Sequence, residues 1–265
     1  MQSERYKIGL EKLKEIDGEA GEQVIHSLQE ISPELGIFIV EYCFGDIYNL
    51  NELDLKSKEL AVVAALTAMG NARPQLKVHL NGALNTGSTI SEIKEVILQM
   101  SVYSGFPRAI NGMTALQETL EERKQHGITD QLGDEPADCS KGQRFDIGAQ
   151  ELAKLDNDQM DKLQTAFGGF SPELIRFTVE FGYADIFSRN NLIPKYRQLA
   201  TIAALTALGT SYTQLKFHIK GGLNVGLTAA QIKEVMLLMS VFSGFPSAIN
   251  GTNALKEILS EEAVS

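Results

Sequence analysis

Apolar residues along this chain recur at the three- and four-residue spacings of helices, and nowhere does a two-residue alternation compete with them. Residues 6–30 carry Ile8, Leu10, Leu13 and Ile16, then Val24, Ile25 and Leu28, and the Gly-Glu-Ala-Gly stretch at 18–21 predicts a break between the two groups. Ser32-Pro33-Glu34 reads as a helix start, with Ser as N-cap and Pro in the first turn. It opens an almost wholly apolar helix to about Tyr48, interrupted by Glu41 and Asp46. Further helices are predicted near 55–70, 74–86, 90–104 and 107–122. Leu60, Val63, Ala64 and Thr67 give the first of these a face of small and branched side chains that lets a neighbouring helix come close. Gly70 and Gly87 stand just past two helix ends, Thr89-Ile-Ser-Glu92 fits a capping box, and Gly105 and Pro107 separate the last pair.

The same pattern is then written a second time. Pro33 pairs with Pro172, His79 with His218 and Pro107 with Pro246, each 139 residues apart (172 − 33, 218 − 79, 246 − 107), and 59–117 aligns with 198–256 without a gap. The unit spans about 6–122 and 145–261, far longer than a solenoid repeat of roughly 20–50 residues, so each copy is of domain size. The predicted fold is all-α: two tandem helical repeats, 1–122 and 145–265, each of five or six helices with its own core. They are joined by a linker at 123–144 that mixes charge with Gly and Pro and has no helical period.

Composition narrows the function more than the fold. A formal charge of −10 with no basic stripe argues against nucleic-acid binding. No run of 18 apolar residues predicts a membrane span, and the start of the chain lacks the apolar core of a secretory signal, which makes the cytoplasm the expected location. Cys43 and Cys139 lie in different contexts without CxxC or CxxH spacing, so neither a disulfide framework nor a metal site is expected.

Two copies of one design show which polar residues both keep. His79 and His218 each sit mid-helix in Gln-Leu-Lys-x-His, and histidine is the side chain suited to exchanging protons near neutral pH. The alternative is a core histidine bonded to a backbone carbonyl. Glu59 lies 20 residues before His79, whereas the second copy has Gln198, so only the first repeat could pair a carboxylate with its histidine. Helical rise leaves roughly 7–8 Å of axial offset between them. Contact would need a tilted crossing, a bridging water or another partner, for which Glu41 and Glu180 are candidates. Tyr103 becomes Phe242 in the second copy, which suggests a structural ring with an optional hydroxyl. Ser101, Ser104 and Asn111 read as helix-end and packing groups.

Taken together, E-L…H-x-x-x-A-L-N-x-G-x-T-x-x-E-I-K-E-V…Y-S-G-F-P-x-A-I-N resembles the carboxymuconolactone decarboxylase family over both repeats nearly end to end. The resemblance implies an all-helical fold in a superfamily that holds lactone decarboxylases and alkylhydroperoxidase-type disulfide reductases. The reductases use C-x-x-C-x-x-x-H, and the two thiol positions here are Ala72 and Gln75, then Ser211 and Gln214. A disulfide cycle therefore has no thiols to run on. The family Glu and His fall on Glu59 and His79, while the second repeat keeps only His218.

The expectation is a cofactor-free, metal-free lyase or isomerase that moves a proton on a small carboxylated lactone or enone, with Glu59 and His79 as catalytic residues in a mostly apolar pocket. His218 contributes only if the pocket is shared. The alternative is a non-catalytic ligand-binding or assembly protein; alkylhydroperoxidase activity is disfavoured. Single-repeat relatives resembling this chain form trimers or hexamers, so self-association is expected, as a trimer rather than a dimer.

Overall fold

The computed structural model describes residues 3–136 and 143–263; Cys139 falls outside them. Among the described residues there are helices and no strands. The first repeat runs α1 (Glu4–Asp17), α2 (Glu19–Ser27), α3 (Pro33–Phe38), α4 (Leu55–Met69), α5 (Arg73–Asn85), α6 (Ile90–Tyr103) and α7 (Phe106–Gln125). The second runs α8 (Arg144–Ala153), α9 (Gln159–Phe167), α10 (Pro172–Phe177), α11 (Pro194–Leu208), α12 (Tyr212–Asn224), α13 (Ala229–Phe242) and α14 (Phe245–Glu262). Each repeat thus has seven α-helices rather than five or six.

Several boundaries follow the local chemistry. Gly18 separates α1 from α2 at positive φ, and Gly70 and Gly209 close α4 and α11 in the left-handed conformation. The capping boxes of α6 and α13 are both formed, by Thr89 with Glu92 and Thr228 with Gln231. One feature was not legible: α3 and α10 continue as π-helices over Ile39–Ile47 and Thr178–Phe187. Their i to i+5 bonds end in Tyr48 N–H to Cys43 C=O and Ser188 N–H to Tyr183 C=O. Against these wide turns α1 and α8 approach so closely that a Cβ on Gly9 would stand 2.0 Å from the carbonyl oxygen of Val40, and one on Gly148 would stand 2.1 Å from that of Val179.

The expectation of two separate cores is corrected. Helix α4 is buried continuously from Ser57 to Ala68, so one face packs on its own repeat and the other on α11, and buried residues of both repeats form one continuous core. A smaller cluster around Leu152, Ile175, Val179 and Tyr183 lies within the second repeat. Pseudo-twofold symmetry is visible in the polar groups at this junction. Lys58 meets Glu234 at 3.0 Å, and at the equivalent positions Arg197 meets Glu95 at 2.8 Å.

The segment after α7 packs back on the first repeat. Arg123 is buried, makes an ion pair with Asp130 at 2.7 Å and donates to Asn81 and Asn85, and the backbone N–H groups of Ile90 and Ser91 donate to Gln131 and Leu132. No helix among the described residues is long and apolar enough to cross a membrane.

Candidate functional site

In the first repeat the π-helix, α4 and α5 bring three polar side chains together in the core. Glu59, 0% exposed, accepts from the Tyr48 hydroxyl through Oε1 at 2.7 Å, and its Oε2 lies 2.9 Å from Nδ1 of His79. The predicted axial offset is closed by the two side chains themselves, without a bridging group. Gly82, one turn beyond His79, makes room for this: a Cβ there would stand 2.8 Å from Glu59 Oε2. The other suggested partners are elsewhere. Glu41 pairs with Ser3 and Arg5, and Glu180 with Arg144, at the periphery.

His79 is 6% exposed, and its Nε2 has no hydrogen-bond partner among the described residues; the ring stands edge-on to Phe242, centroids 4.8 Å apart. Burial pulls the imidazole pKa down, but the charge and hydrogen bond of Glu59 and the charge of Asp17 outweigh it and hold the pKa above its ordinary value.

Asp17 ends α1 in the same core, and neither of its carboxylate oxygens has a partner. Its counterpart Asp156 is held by Lys162 at 2.6 Å and Lys220 at 3.2 Å; the first repeat has Gln23 and Asn81 at those positions. Burial pushes the Asp17 pKa up to about 7, with His79 opposing the rise and Glu59 adding to it. Burial, then the charges of Glu59 and Asp17, push the Cys43 thiol well up, which keeps it protonated.

The second repeat builds the same geometry from neutral parts. Gln198 Oε1 accepts from His218 Nδ1 at 2.9 Å, Phe187 replaces Tyr48, and Gln198 Nε2 is left without a partner. Burial lowers the His218 pKa to about 3, so this imidazole is neutral. With Nδ1 carrying the proton, Nε2 accepts from the Tyr103 hydroxyl at 3.1 Å. The reading of Tyr103 as a ring with an optional hydroxyl is therefore corrected: it bridges the two repeats. Each histidine is capped by an aromatic ring from the other repeat, His79 by Phe242 and His218 by Tyr103.

An open cavity of about 360 Å³ lies beside His218, walled by Tyr103, Tyr183, Phe187 and Phe217. Among the described residues no group of three or more His, Cys, Asp or Glu side chains is placed to hold a metal ion.

Sequence reasoning paired Glu59 with His79 but missed Tyr48, Asp17 and the ring from the opposite repeat. The signal for Tyr48 was present as a Tyr-to-Phe difference between the copies, coinciding with Glu59 becoming Gln198. Asp17 left a subtler trace, in two lysines of the second repeat that the first lacks.

Comparison with known proteins agrees with this architecture. The chain is 30% identical over 120 residues to 4-carboxymuconolactone decarboxylase of Acinetobacter baylyi, covering 45% of this chain and 89% of that protein. It is 32% identical over 89 residues to the nitrosuccinic acid decarboxylase npaB of Metarhizium robertsii, covering 34% and 62%. A crystal structure from Burkholderia xenovorans, described as a gamma-carboxymuconolactone decarboxylase subunit, superposes over 99% of this chain and 100% of its own with a TM-score of 0.60 at 20% identity, a likeness of fold. The family pattern itself matches twice, at residues 33–118 and 172–257, and the chain belongs to the carboxymuconolactone decarboxylase family.

Proposed function

We propose that the first repeat is a cofactor-free acid–base site that moves a proton on a small carboxylated lactone or enone, as a carboxy-lyase or a double-bond isomerase. The observation that carries this reading is the contrast between the copies. A neutral Phe187, Gln198 and His218 build the same packing, so the fold does not require the buried Tyr48, Glu59 and His79 hydrogen-bond chain or the unpartnered Asp17 beside it. Buried charge is costly and marks functional sites.

In a decarboxylation, the bond pair released as CO2 departs passes into an enolate conjugated with the lactone or enone carbonyl. His79 Nε2, the ring nitrogen not engaged by Glu59, delivers a proton to the carbanionic carbon, and Glu59 balances the imidazolium beforehand. In an isomerisation the same nitrogen takes the proton from one carbon and returns it to another. Tyr48 holds the carboxylate in the orientation that fixes the ring.

The test is turnover of carboxylated lactones and enones, followed by loss of ultraviolet absorbance and release of CO2. His79→Ala and Glu59→Gln are expected to lower the rate by about 10²-fold, with His218→Ala far milder. Equal losses from His218→Ala would make the site shared. A rise in melting temperature with no turnover would make this a binding protein.

Self-association belongs to the same proposal. The two repeats expose apolar residues at equivalent positions: Phe106 and Phe245, Ile110 and Ile249, Phe38 and Phe177. Three chains, each supplying two such faces, close a six-repeat ring. Light scattering is expected to give three times the 29.0 kDa chain mass; the monomer mass would overturn it.

A further inference from the structure

The cavity beside His218 differs in chemistry from the charged cluster in the first repeat. Its floor is buried, with Leu152, Ile175, Tyr183 and His218, and it reaches exposed Thr213 and Gln214. Among the described residues, no Asp, Glu, Lys or Arg lines it. At about 360 Å³ it lies within the range of small-molecule sites, roughly 300–1,000 Å³.

Its hydrogen-bonding groups are ordered. Gln198 fixes the His218 tautomer, so the Tyr103 O–H points at Nε2; the Thr201 hydroxyl also lies beside the Tyr103 oxygen, which keeps one further lone pair for an incoming donor. The buried Tyr183 hydroxyl, on the opposite side of the repeat boundary from Tyr103, has no hydrogen-bond partner among the described residues and is left to donate. Phe187 and Phe217 supply flat apolar walls. Arg197 lies behind the wall, 6.0 Å from the centroid of the Phe187 ring, but is already paired with Glu95, so a carboxylate would lose its water here without gaining a free cation, which costs several kcal/mol. A neutral ring would not incur that cost.

We infer that the cavity between Tyr103, Tyr183 and His218 is a second binding site, for neutral ring compounds bearing a hydroxyl or carbonyl, of the phenol or cyclic-enone class. The Tyr183 hydroxyl donates to the ligand oxygen, and the Tyr103 oxygen accepts from a ligand hydroxyl where one is present. The site stands on its own geometry and does not rest on chemistry at His79.

Titration calorimetry of the full chain with phenol, 2-cyclohexenone and benzoate tests this. Phenol and cyclohexenone are expected to bind at millimolar concentrations or below, and benzoate at least about tenfold more weakly, the scale of one uncompensated charge or hydrogen bond. Tyr183→Phe, which places there the residue the first repeat has in Phe44, should weaken both neutral probes about tenfold. Gly182→Leu should abolish binding by filling the cavity, since a Cβ there meets only Val102 Cγ1 at 3.7 Å. Heat that persists in Gly182→Leu belongs to another site, the first repeat included, and is subtracted before the probes are compared. No heat from either neutral probe beyond that left in Gly182→Leu, benzoate binding as tightly as phenol by the same measure, or unaltered affinity in Tyr183→Phe would each overturn the inference.

Discussion

Arg197 in the second repeat donates to Glu95 in the first across 2.8 Å, with both side chains almost wholly buried. Burial acts to raise the Glu95 pKa, but hydrogen bonds from Arg189 and Arg197 outweigh it and hold the carboxyl below its usual range. Breaking such a pair strands a charge in the core. Glu95→Ala is expected to cost about 3–5 kcal/mol in urea unfolding, and Glu95→Leu with Arg197→Met less than either single change. A double variant as unstable as the sum of the singles would show that the two groups act independently.

Asp17 gives a pH signature. Its carboxyl is raised from 3.8 to about 7, so the folded chain binds more protons than the unfolded one between those values, and stability falls as pH rises through that window. His79, whose pKa is also raised, works in the same direction: its contribution is full below about 6.5, the unfolded pKa, and is lost above the folded one. Asp17→Asn removes the carboxylate part. The variant should gain on the wild type progressively from about pH 4 to 7, by roughly 4 kcal/mol at the upper end. Urea melts at acid and alkaline pH that differ from wild type by the same amount would refute the assignment.

Gly82 is needed for close approach. An alanine there would press on Glu59 Oε2 at 2.8 Å, on Glu59 Cδ at 3.0 Å and on Ile16 Cγ2 at 3.0 Å, whereas the equivalent Gly221 faces only Leu155, at 3.1 Å and beyond. Gly82→Ala is expected to destabilise by about 1–3 kcal/mol and to displace the carboxylate from His79. The histidine pKa, read by nitrogen-15 NMR, should fall. Gly221→Ala should be milder, and a reversed order would remove the role assigned to Gly82.

The neutral copy can be charged by design. Gln198→Glu with Phe187→Tyr restores the Tyr48, Glu59 and His79 arrangement around His218. The wild-type His218 ring should stay neutral at about pH 5, and the double variant should protonate well above that. Unchanged histidine shifts would mean that the added carboxylate does not reach Nδ1.

Much of this molecule was legible in its residues, for identifiable reasons. Capping boxes and helix-ending glycines are local, so Thr89, Thr228, Gly70 and Gly209 announced their structure directly. The 139-residue duplication made Glu59 against Gln198 visible as a difference to be explained. The π-helices were not legible, because apolar residues in Ile39–Ile47 satisfy an α and a π turn equally well. Merging of the two cores was missed because α4 was read for one small-residue face, when its apolar residues cover every side. Tyr103 was misjudged because its partner, His218, is 115 residues away and is brought to it only by the packing of the two halves.

The crossing of aromatic rings between repeats bears on how this chain could diverge. In a symmetric pair of identical single repeats, any change of cap alters both chambers together, and so does any change of carboxylate. Joined in one polypeptide, Tyr103 and Phe242 vary separately, as do Glu59 and Gln198. The fused chain can therefore set a carboxyl group beside one histidine and an amide beside the other about a shared axis, an arrangement that no homodimer of a single repeat can reach.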